Sequence, residues 1–377
     1  FEDNAHLVGN LALPNSLEDI GTSAFENCHF TGNLHLPDGL KTIGRASFHN
    51  AGSFSGNLEI PEMVSIIYGS SFEKSTFTGN LIFKGNPTFA ESSYISLGNE
   101  GAFEGCGFSG ELVIPDGVIE IPGACFFGNN FTSIVFPSSL RKIEDMAFYA
   151  NGSIMGNLIF PEGIVAIGKE AFCNCGQING LVFPSTLTSI GNSAFNSCFY
   201  VSSITSLSLT PPNVQSNAFS GVAKDNFTVE VPAQSVNNYK AEPGWSDFNR
   251  IAAHYDFSVS HKRMRALNAS QQRKYILRAP ANFKWIIESK PDWVTVNPES
   301  GTGKTDITIT VSEMARTSNT FEVNEGTYNN PIYKNYKGRS GEIVFKLNEK
   351  DYTFTMEVEQ FDCDYADGDV ITYQTAT

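Results

Sequence analysis

The chain of 377 residues carries a formal net charge of −15, and it is longer than one compact core usually grows. The charge is uneven, because residues 1–254 have 10 Lys/Arg against 23 Asp/Glu, whereas residues 255–377 have 15 against 17. An acidic surface repels phosphate backbones and anionic lipid, so nucleic-acid and membrane-surface binding by the first part are disfavoured. The change of charge near residue 254 predicts two domains, residues 1–254 and 255–377.

A nine-residue phrase, Ile-Gly-x-x-Ala-Phe-x-x-Cys, organises the first domain and is complete at residues 20–28, 167–175 and 190–198. Its phenylalanine returns at steps of 24, 23, 24, 31, 23, 22, 24, 23 and 24 residues, a fixed period with one insertion. Such a period is typical of a solenoid. The repeated residues are Phe1, Phe25, Phe48, Phe72, Phe103, Phe126, Phe148, Phe172, Phe195 and Phe219.

A short strand signal of the type Leu-x-Leu-Pro follows each Phe, as at residues 33–37 and 57–61. One coil has too few apolar residues for its own core, but stacked coils bury a continuous core and place their strands in a parallel sheet down one side. The insertion at residues 84–99 interrupts this array, and residues 226–254, with Tyr239 and Trp245, are expected to cap its last coil. Because Phe1 already stands in phase, we expect the natural N-terminus to lie upstream. No signal peptide and no apolar run of membrane-spanning length, about 20 residues, is visible.

The alternation within the strand phrase predicts which side chains face outward. The two Leu positions point inward, so the residue between them faces solvent. Down the array this middle position is Ala12, His35, Glu59, Ile82, Val113, Val135, Ile159, Val182, Ser208 and Glu230. From Ile82 to Val182 it is aliphatic in every coil, and contiguous exposed apolar surface tends to mark an interaction site. There are two alternative explanations for these aliphatic residues. In one, they occupy the position only because they favour strand geometry. In the other, the insertion or the second domain covers them.

The chain has seven cysteines. Those that stand three residues after a repeat Phe are Cys28, Cys106, Cys175 and Cys198, where other coils carry Ala51, Ser75 and Asn129. The position therefore predicts buried packing thiols, with a Cys175–Cys198 bridge as the alternative, since neighbouring coils lie about 5 Å apart. The histidines have no zinc-ligand spacing with these cysteines, and no catalytic or phosphate-binding motif is present, so no metal, cofactor or enzymatic activity is predicted.

These residues carry a family resemblance over residues 1 to about 254. The unit Leu-x-x-Ile-Gly-x-x-Ala-Phe-x-x-Cys followed by Leu-x-Leu-Pro resembles the BspA-like, or Treponema-type, leucine-rich repeat, and the segment from Val231 through Tyr239 to Trp245 is similar to its end unit. The resemblance implies a leucine-rich-repeat solenoid with a short-strand parallel sheet. It also implies a secreted or outer-surface bacterial protein that mediates adhesion or other binding, and it brings no catalytic residues.

The second domain shows short alternating strands, which predict an immunoglobulin-like antiparallel β-sandwich. The predicted strands are residues 256–260, 275–279, 285–288, 293–296, 306–311, 342–347 and 353–358. The phrases at residues 293–303, 308–311, 339–343 and 358–360 resemble the BACON domain, a β-sandwich of Bacteroides-type surface proteins. That resemblance implies either carbohydrate or mucin binding or the role of a spacer.

Three further stretches of the second domain are candidates for binding. The insertion at residues 313–337 is rich in Tyr and Asn, and Tyr328, Tyr333 and Tyr336 are the candidate contact residues, because such loops supply flat apolar faces and adaptable hydrogen bonds. Folding back onto the sandwich is the alternative. The acidic tail at residues 362–369 has the density of a calcium loop but misses the EF-hand spacing. The basic run from Lys262-Arg-Met-Arg265 through Arg278 is either a polyanion site or a solvated face.

Together these patterns favour a non-enzymatic, cell-surface binding or adhesion protein that acts through the repeat surface, with host or bacterial surface proteins as partners. The candidate contact residues there are Ile82, Val113, Val135, Ile159 and Val182. A glycan-binding component of a polysaccharide-uptake system, acting through the BACON-like domain, is the alternative function. In a third hypothesis the sandwich is a stalk. Anchoring to an outer membrane through an upstream segment is expected in each case.

Overall fold

The computed structural model describes residues 1–4, 6–90, 101–255, 257–267, 270–280, 283–315, 320–324, 333–347 and 352–361. The chain divides into two compact units, Phe1–His254 and Tyr255–Thr377. The first is a parallel-strand solenoid of about 10 turns, as predicted, and the second consists of antiparallel sheets consistent with the predicted β-sandwich.

Short parallel strands make up the first unit. They are β1 Val8–Gly9, β2 Asp19–Ile20, β3 His29–Gly32, β4 Thr42–Ile43, β5 Gly52–Phe54, β6 Leu58–Ile60, β7 Ile66–Tyr68, β8 Thr76–Phe77, β9 Leu81–Phe83, β10 Thr88–Ala90, β11 Ser109–Val113, β12 Glu120–Ile121, β13 Asn130–Val135, β14 Lys142–Ile143, β15 Gly156–Ile159, β16 Ala166–Ile167, β17 Ile178–Phe183, β18 Ser189–Ile190, β19 Ser203–Ser206, β20 Asn213–Val214, β21 Val229–Pro232 and β22 Ile251–His254. A 3-10 turn, Ala233–Ser235, leads into helix α1, Val236–Ala241.

The strands of the solenoid pair in several parallel sheets. The strand-phrase strands, called here the Leu ladder, pair as β6-β9, β11-β13 and β15-β17-β19-β21-β22. The Ile ladder pairs β2, β4, β7 and β10 and, separately, β12, β14, β16, β18 and β20, and β1, β3, β5 and β8 form a further sheet. In register, Leu158 pairs with Leu181 and Ile143 with Ile167, so like residues stack inward. The Leu ladder is the predicted sheet. The Ile ladder was not predicted, because its strands are mostly two residues long and show no alternation in the sequence.

The repeat phenylalanines form one continuous stack through the core, as their shared phase predicts. Neighbouring rings from Phe1 to Phe219 are 5.1–5.8 Å apart and within 21° of parallel. From Phe48 to Phe219 every ring of the stack is at most 2% exposed. Stacking therefore couples each coil to the next along the whole solenoid.

Two residues with left-handed backbone flank the repeat Phe in most coils. Around Phe148 these are Met146 at φ 59° and Ala150 at φ 58°. The conformation costs an L-residue about 1–2 kcal/mol. It aims the amides at the next coil, where Met146 N donates to Lys169 O and Ala150 N to Cys173 O, both at 2.8 Å. Hydrogen bonds between coils thus offset the local strain.

The C-terminal end of the stack is covered by aromatic residues after α1. The Trp245 ring lies 5.6 Å from Phe219, and its Nε1 donates to Pro212 O at 2.9 Å. The buried Tyr239 hydroxyl donates to Ser208 O at 2.9 Å, and burial raises the pKa of Tyr239 to about 12. The last coil is therefore shielded from water by this segment.

The second unit packs two sheets around a separate core that includes Trp285 and Phe345. One sheet has the order β23-β25-β29-β27, and the other β24-β32-β31-β26-β28 with β30 paired to β31. The strands are β23 Ser258–Val259, β24 Arg263–Leu267, β25 Gln271–Arg278, β26 Lys284–Ser289, β27 Val294–Asn297, β28 Ser300–Thr302, β29 Thr305–Val311, β30 Thr320–Asn324, β31 Tyr333–Leu347 and β32 Tyr352–Phe361.

Candidate binding face on the parallel sheet

The Leu ladder places the predicted outward residues on one face of the solenoid. In β11 the side chains of Leu112 and its neighbour Ile114 are at most 2% exposed, while Val113 between them is 51% exposed. The alternation follows directly from the pleat, since a two-residue period sends neighbouring side chains to opposite sides. Val113 pairs in register with Val135, so their side chains lie next to each other on adjacent coils.

Five aliphatic residues continue this arrangement and are called here the apolar row. They are Ile82, Val113, Val135, Ile159 and Val182. Val135 is 45% and Ile159 63% exposed, while Ile82 and Val182 are half-buried. Ile159 pairs with Val182 in the ladder. The row thus presents β-branched side chains to solvent in consecutive coils.

One assignment in the predicted outward series, that of Ser208, is wrong. Val182 pairs with Thr205, not with Ser208, and Thr205 in turn pairs with Glu230. Ser208 lies beyond β19, is only 5% exposed and donates its hydroxyl to Thr210 O. This coil lacks the usual proline after its strand, so two similar phrases compete in the sequence. The correction leaves a polar residue after Val182.

A pocket opens next to the row where the Leu ladder is interrupted. Strand β9 pairs with β6, and β11 with β13, but β9 and β11 are not joined in one sheet. The pocket at this opening has a volume of about 260 Å³. Its lining includes Phe83, Val113, Asp116, Val135 and Pro137. Two residues of the apolar row therefore form part of a concave site that has both apolar and polar walls.

Acidic side chains border the row. Glu111 lies two residues before Val113 on the same face, and Asp116 and Glu162 follow the prolines of their coils; all three are exposed. Glu59, which pairs with Ile82 across the ladder, binds Lys84 at 2.6 Å, and this hydrogen bond raises the pKa of Lys84. The cation beside the pocket is thus already held by a carboxylate of the protein.

The sequence of the repeats matches a known family. The model for the BspA type leucine-rich repeat region matches in six copies over residues 1–99 and 96–226, more than half of the chain. The chain belongs to the BspA-type leucine-rich repeat family. In the second unit, the BACON model, whose description is that of a proposed binding domain, matches residues 283–319. No curated protein matches the whole chain.

Several solved structures are similar to this BspA-type chain. A leucine-rich repeat protein from Bacteroides ovatus is 19% identical, with a TM-score of 0.30 over 64% of this chain and 82% of its own. A leucine-rich cell surface protein from Faecalibacterium prausnitzii is 17% identical, with a TM-score of 0.31 over 64% and 77%. A GH5 xyloglucanase from Bacteroides ovatus is 14% identical, with a TM-score of 0.22. The match covers 29% of this chain and 19% of the xyloglucanase.

The tyrosine site predicted in the second unit is only partly described. Tyr328 lies outside the described residues. Tyr333 and Tyr336 belong to β31, where their backbones pair with Asn324 and Phe321 of β30. Part of the predicted loop at residues 313–337 is therefore a strand pair, which the Tyr/Asn-rich composition did not predict. The acidic tail at residues 362–369 also lies outside the described residues.

Two arginines of the basic run, Arg263 and Arg265, lie in β24, which pairs with β32. Arg263 lies 2.5 Å from Glu357, and Arg265 lies 2.9 Å from the 7%-exposed Glu359. The polyanion hypothesis is therefore wrong for these two arginines, whose charges are met within the sheet.

The cysteines of the BspA-type repeat phrase are buried hydrogen-bond donors. Cys106 Sγ donates to Phe72 O at 3.0 Å, and Cys175 Sγ to Phe148 O at 3.2 Å. Burial raises the pKa of both thiols. Every cysteine in the described ranges, which leave out Cys363, is free, so the structure shows buried thiols and no Cys175–Cys198 bridge. The described part of the chain holds no group of His, Cys, Asp and Glu that could bind a metal ion.

Proposed function

We propose that this protein is a non-enzymatic surface binding protein that attaches to protein partners through the apolar row of its solenoid. One observation carries the proposal: Val113, Val135 and Ile159 are 45–63% exposed on consecutive coils, at a position where the pleat favours polar residues. Holding aliphatic side chains in water is costly, by about 25 cal/mol per Å². A partner that covers them removes this cost.

A location on the bacterial surface is part of the same proposal. It is supported by the family and by the similarity to a cell-surface protein of Faecalibacterium prausnitzii. Among the residues described, neither the length nor the apolarity of any helix suffices to cross a membrane. Attachment through a segment upstream of Phe1 would place the solenoid outside the cell.

The test replaces two residues of the row by aspartate, Val135→Asp with Ile159→Asp. Purified wild type and variant are labelled, and their attachment to epithelial cells and to bacteria is measured by flow cytometry. We expect the double variant to lose at least 90% of saturable attachment while its thermal unfolding stays close to wild type, because both side chains already face water.

The matched control is Ile119→Asp. Ile119 is also aliphatic and is 61% exposed, but it precedes β12 of the Ile ladder. The control should attach as wild type does. Unchanged attachment by the folded double variant, or an equal loss of attachment in the control, would show that the apolar row is not the attachment site.

Glycan binding by the second unit is the second candidate, supported by the BACON match at residues 283–319. A glycan array probed with the full chain tests it. Binding that survives Val135→Asp/Ile159→Asp and is lost in Tyr333→Ala/Tyr336→Ala would assign sugar recognition to the second unit. If no glycan on the array binds, the result supports the hypothesis that this unit is a stalk.

A further inference from the structure

Exposed carboxylates border the apolar row. Glu111, Asp116 and Glu162 border it, while the corresponding positions of the intervening coil carry the neutral Ser133 and Ser138. Glu111 accepts a hydrogen bond from Ser133 at 3.2 Å, and Glu162 accepts one from Ser185 at 2.9 Å.

Within the described residues none of these three carboxylates has an ion-pair partner. Of the cations nearby, Lys84 is held by Glu59, and the Arg141 guanidinium donates to Ser138 O and Leu140 O. Residues 1–254 as a whole carry 23 Asp/Glu against 10 Lys/Arg. The row is therefore an apolar strip bordered by three carboxylates that have no ion-pair partner among the described residues.

We propose that the partner of this face is an extended protein segment in which apolar and cationic side chains alternate along one face, at every second residue. The proposal rests on the proposed function and specifies the chemistry of its partner. Apolar side chains of the segment cover the row, and its Lys or Arg side chains reach the bordering carboxylates. Complementary charge of this kind steers association and excludes partners of the wrong sign.

The geometry of the face matches such a segment. Successive coils lie about 4.8 Å apart, so the five residues of the row span about 19 Å or more across the strands. Along one strand, Glu111 and Val113 are two residues apart, which separates carboxylate and methyl groups by about 7 Å. Side chains at positions i and i+2 of an extended partner lie on one face at the same spacing, so an apolar residue and a cationic residue at these positions can bind at once.

The pocket supplies an anchoring point at one end. Its volume of about 260 Å³ holds one large aliphatic or aromatic side chain, with Phe83, Val113 and Val135 as apolar walls. Asp116 lies on its rim and can meet a cation next to the anchor. Interfaces commonly concentrate their binding energy in such buried anchors.

A second copy of this chain is the less favourable occupant. A symmetric contact through the row brings the bordering carboxylates of both copies together, and like charges facing each other are destabilising. Anionic lipid and nucleic acid meet the same repulsion.

The experiment uses the full chain and three labelled heptapeptides with blocked ends. In each peptide Ser occupies every second position, and the positions between carry alternating Leu and Lys in the first, Ser and Lys in the second, and Leu and Glu in the third. Fluorescence anisotropy gives their Kd at 50 and 300 mM NaCl. We expect the Leu/Lys peptide to bind at least tenfold more tightly than either of the others, with affinity falling about five- to tenfold at the higher salt concentration.

Charge variants separate a specific border from general attraction to an acidic protein. Glu111→Gln with Glu162→Gln should weaken Leu/Lys binding at least fivefold. The control, Glu2→Gln with Asp19→Asn, removes two charges elsewhere and should change the Kd of the Leu/Lys peptide less than twofold. Equal weakening in both pairs, or equal affinity for the Leu/Lys and Leu/Glu peptides, would overturn the cationic partner.

The outcomes also distinguish this inference from the proposed function. If Val135→Asp/Ile159→Asp abolishes cell attachment while Glu111→Gln/Glu162→Gln leaves it intact, the row binds but the partner is not cationic. If sedimentation shows a wild-type dimer that the aspartate variant converts to monomer, the occupant is a second copy and the inference is wrong.

Discussion

The side-chain amide of Asn151 lies 2.8 Å from the carbonyl oxygen of Phe126, one coil earlier in the solenoid. Its Nδ2 also donates to Phe148 O at 3.0 Å. In neighbouring coils Asn129 and Cys175 donate in the same way to the preceding repeat Phe. In most coils the position three residues after the repeat Phe therefore carries a small buried donor, Asn, Ser or Cys, with Ala51 and Val222 as exceptions.

Replacing Asn151 by alanine leaves these two buried carbonyls without this donor. We expect Asn151→Ala to lower the free energy of unfolding by about 1–3 kcal/mol. Asn151→Cys keeps a donor and removes Oδ1, which has no hydrogen-bond partner within the described residues; it should stay within about 1 kcal/mol of wild type. Urea unfolding followed by circular dichroism measures both. Equal losses in the two variants would show that volume, not donation, sets this position.

The burial of the position three residues after the repeat Phe could be predicted from the sequence, but its role as a hydrogen-bond donor could not. The recurrence of Cys175 and Cys198 in phase with Asn151 indicates a small inward side chain, but the carbonyl that it contacts belongs to another coil. Only the folded stack brings the two together. The sequence-based interpretation of these cysteines as packing groups was therefore correct but incomplete.

Removing one ring from the Phe stack should be costly in the middle and nearly neutral at the start. Phe148 is fully buried and stacks on Phe126 and Phe172 at 5.3 and 5.1 Å. We expect Phe148→Ala to cost about 3–5 kcal/mol. Phe1 is 74% exposed, so the matched change Phe1→Ala should cost less than about 1 kcal/mol. A loss below about 1 kcal/mol for Phe148→Ala would mean that neighbouring coils close the gap.

Thiol reactivity gives an independent test of burial. In the native protein at pH 8, Cys106, Cys175 and Cys198 should not react with a thiol reagent within minutes, because they are fully buried and the thiolate is the reactive form. Burial raises the pKa of Cys198 to about 12, so little thiolate forms. After unfolding without reductant, at least the six thiols of the described residues should titrate. A deficit of two would indicate a bridge.

The period of the sequence predicted the core and the outward row better than it predicted the ends of the array. Phase alone placed Val113 and Val135 on the outer face, since the pleat leaves no other choice for a residue between two inward-facing apolar residues. Ser208 was misplaced because its coil lacks the proline that marks the strand end. The pairing of Tyr336 with Phe321 was missed because a strand formed from a polar insertion has no apolar alternation to reveal it.

Glu104 gives the solenoid a pH-dependent weakness. Its half-buried carboxylate lies in the coil after Glu73, and burial, with a smaller contribution from the charge of Glu73, raises the pKa of Glu104. A raised carboxyl pKa means that the folded state disfavours the charged form. The stability contributed by the protonated group is complete below the ordinary pKa, about 4.3, and is lost as the pH rises through the higher, folded-state pKa.

Glu104→Gln removes this charge and should therefore raise the unfolding temperature at pH 7, by about 1–3 °C. The gain should vanish near pH 4, where wild-type Glu104 takes up its proton. Differential scanning calorimetry at both pH values measures the effect, and Glu111→Gln, at an exposed carboxylate, is the control that should show no gain at either pH. A gain of the same size at pH 4 and pH 7 would indicate that the amide improves packing or hydrogen bonding, because relief of a buried charge cannot persist once that charge is protonated.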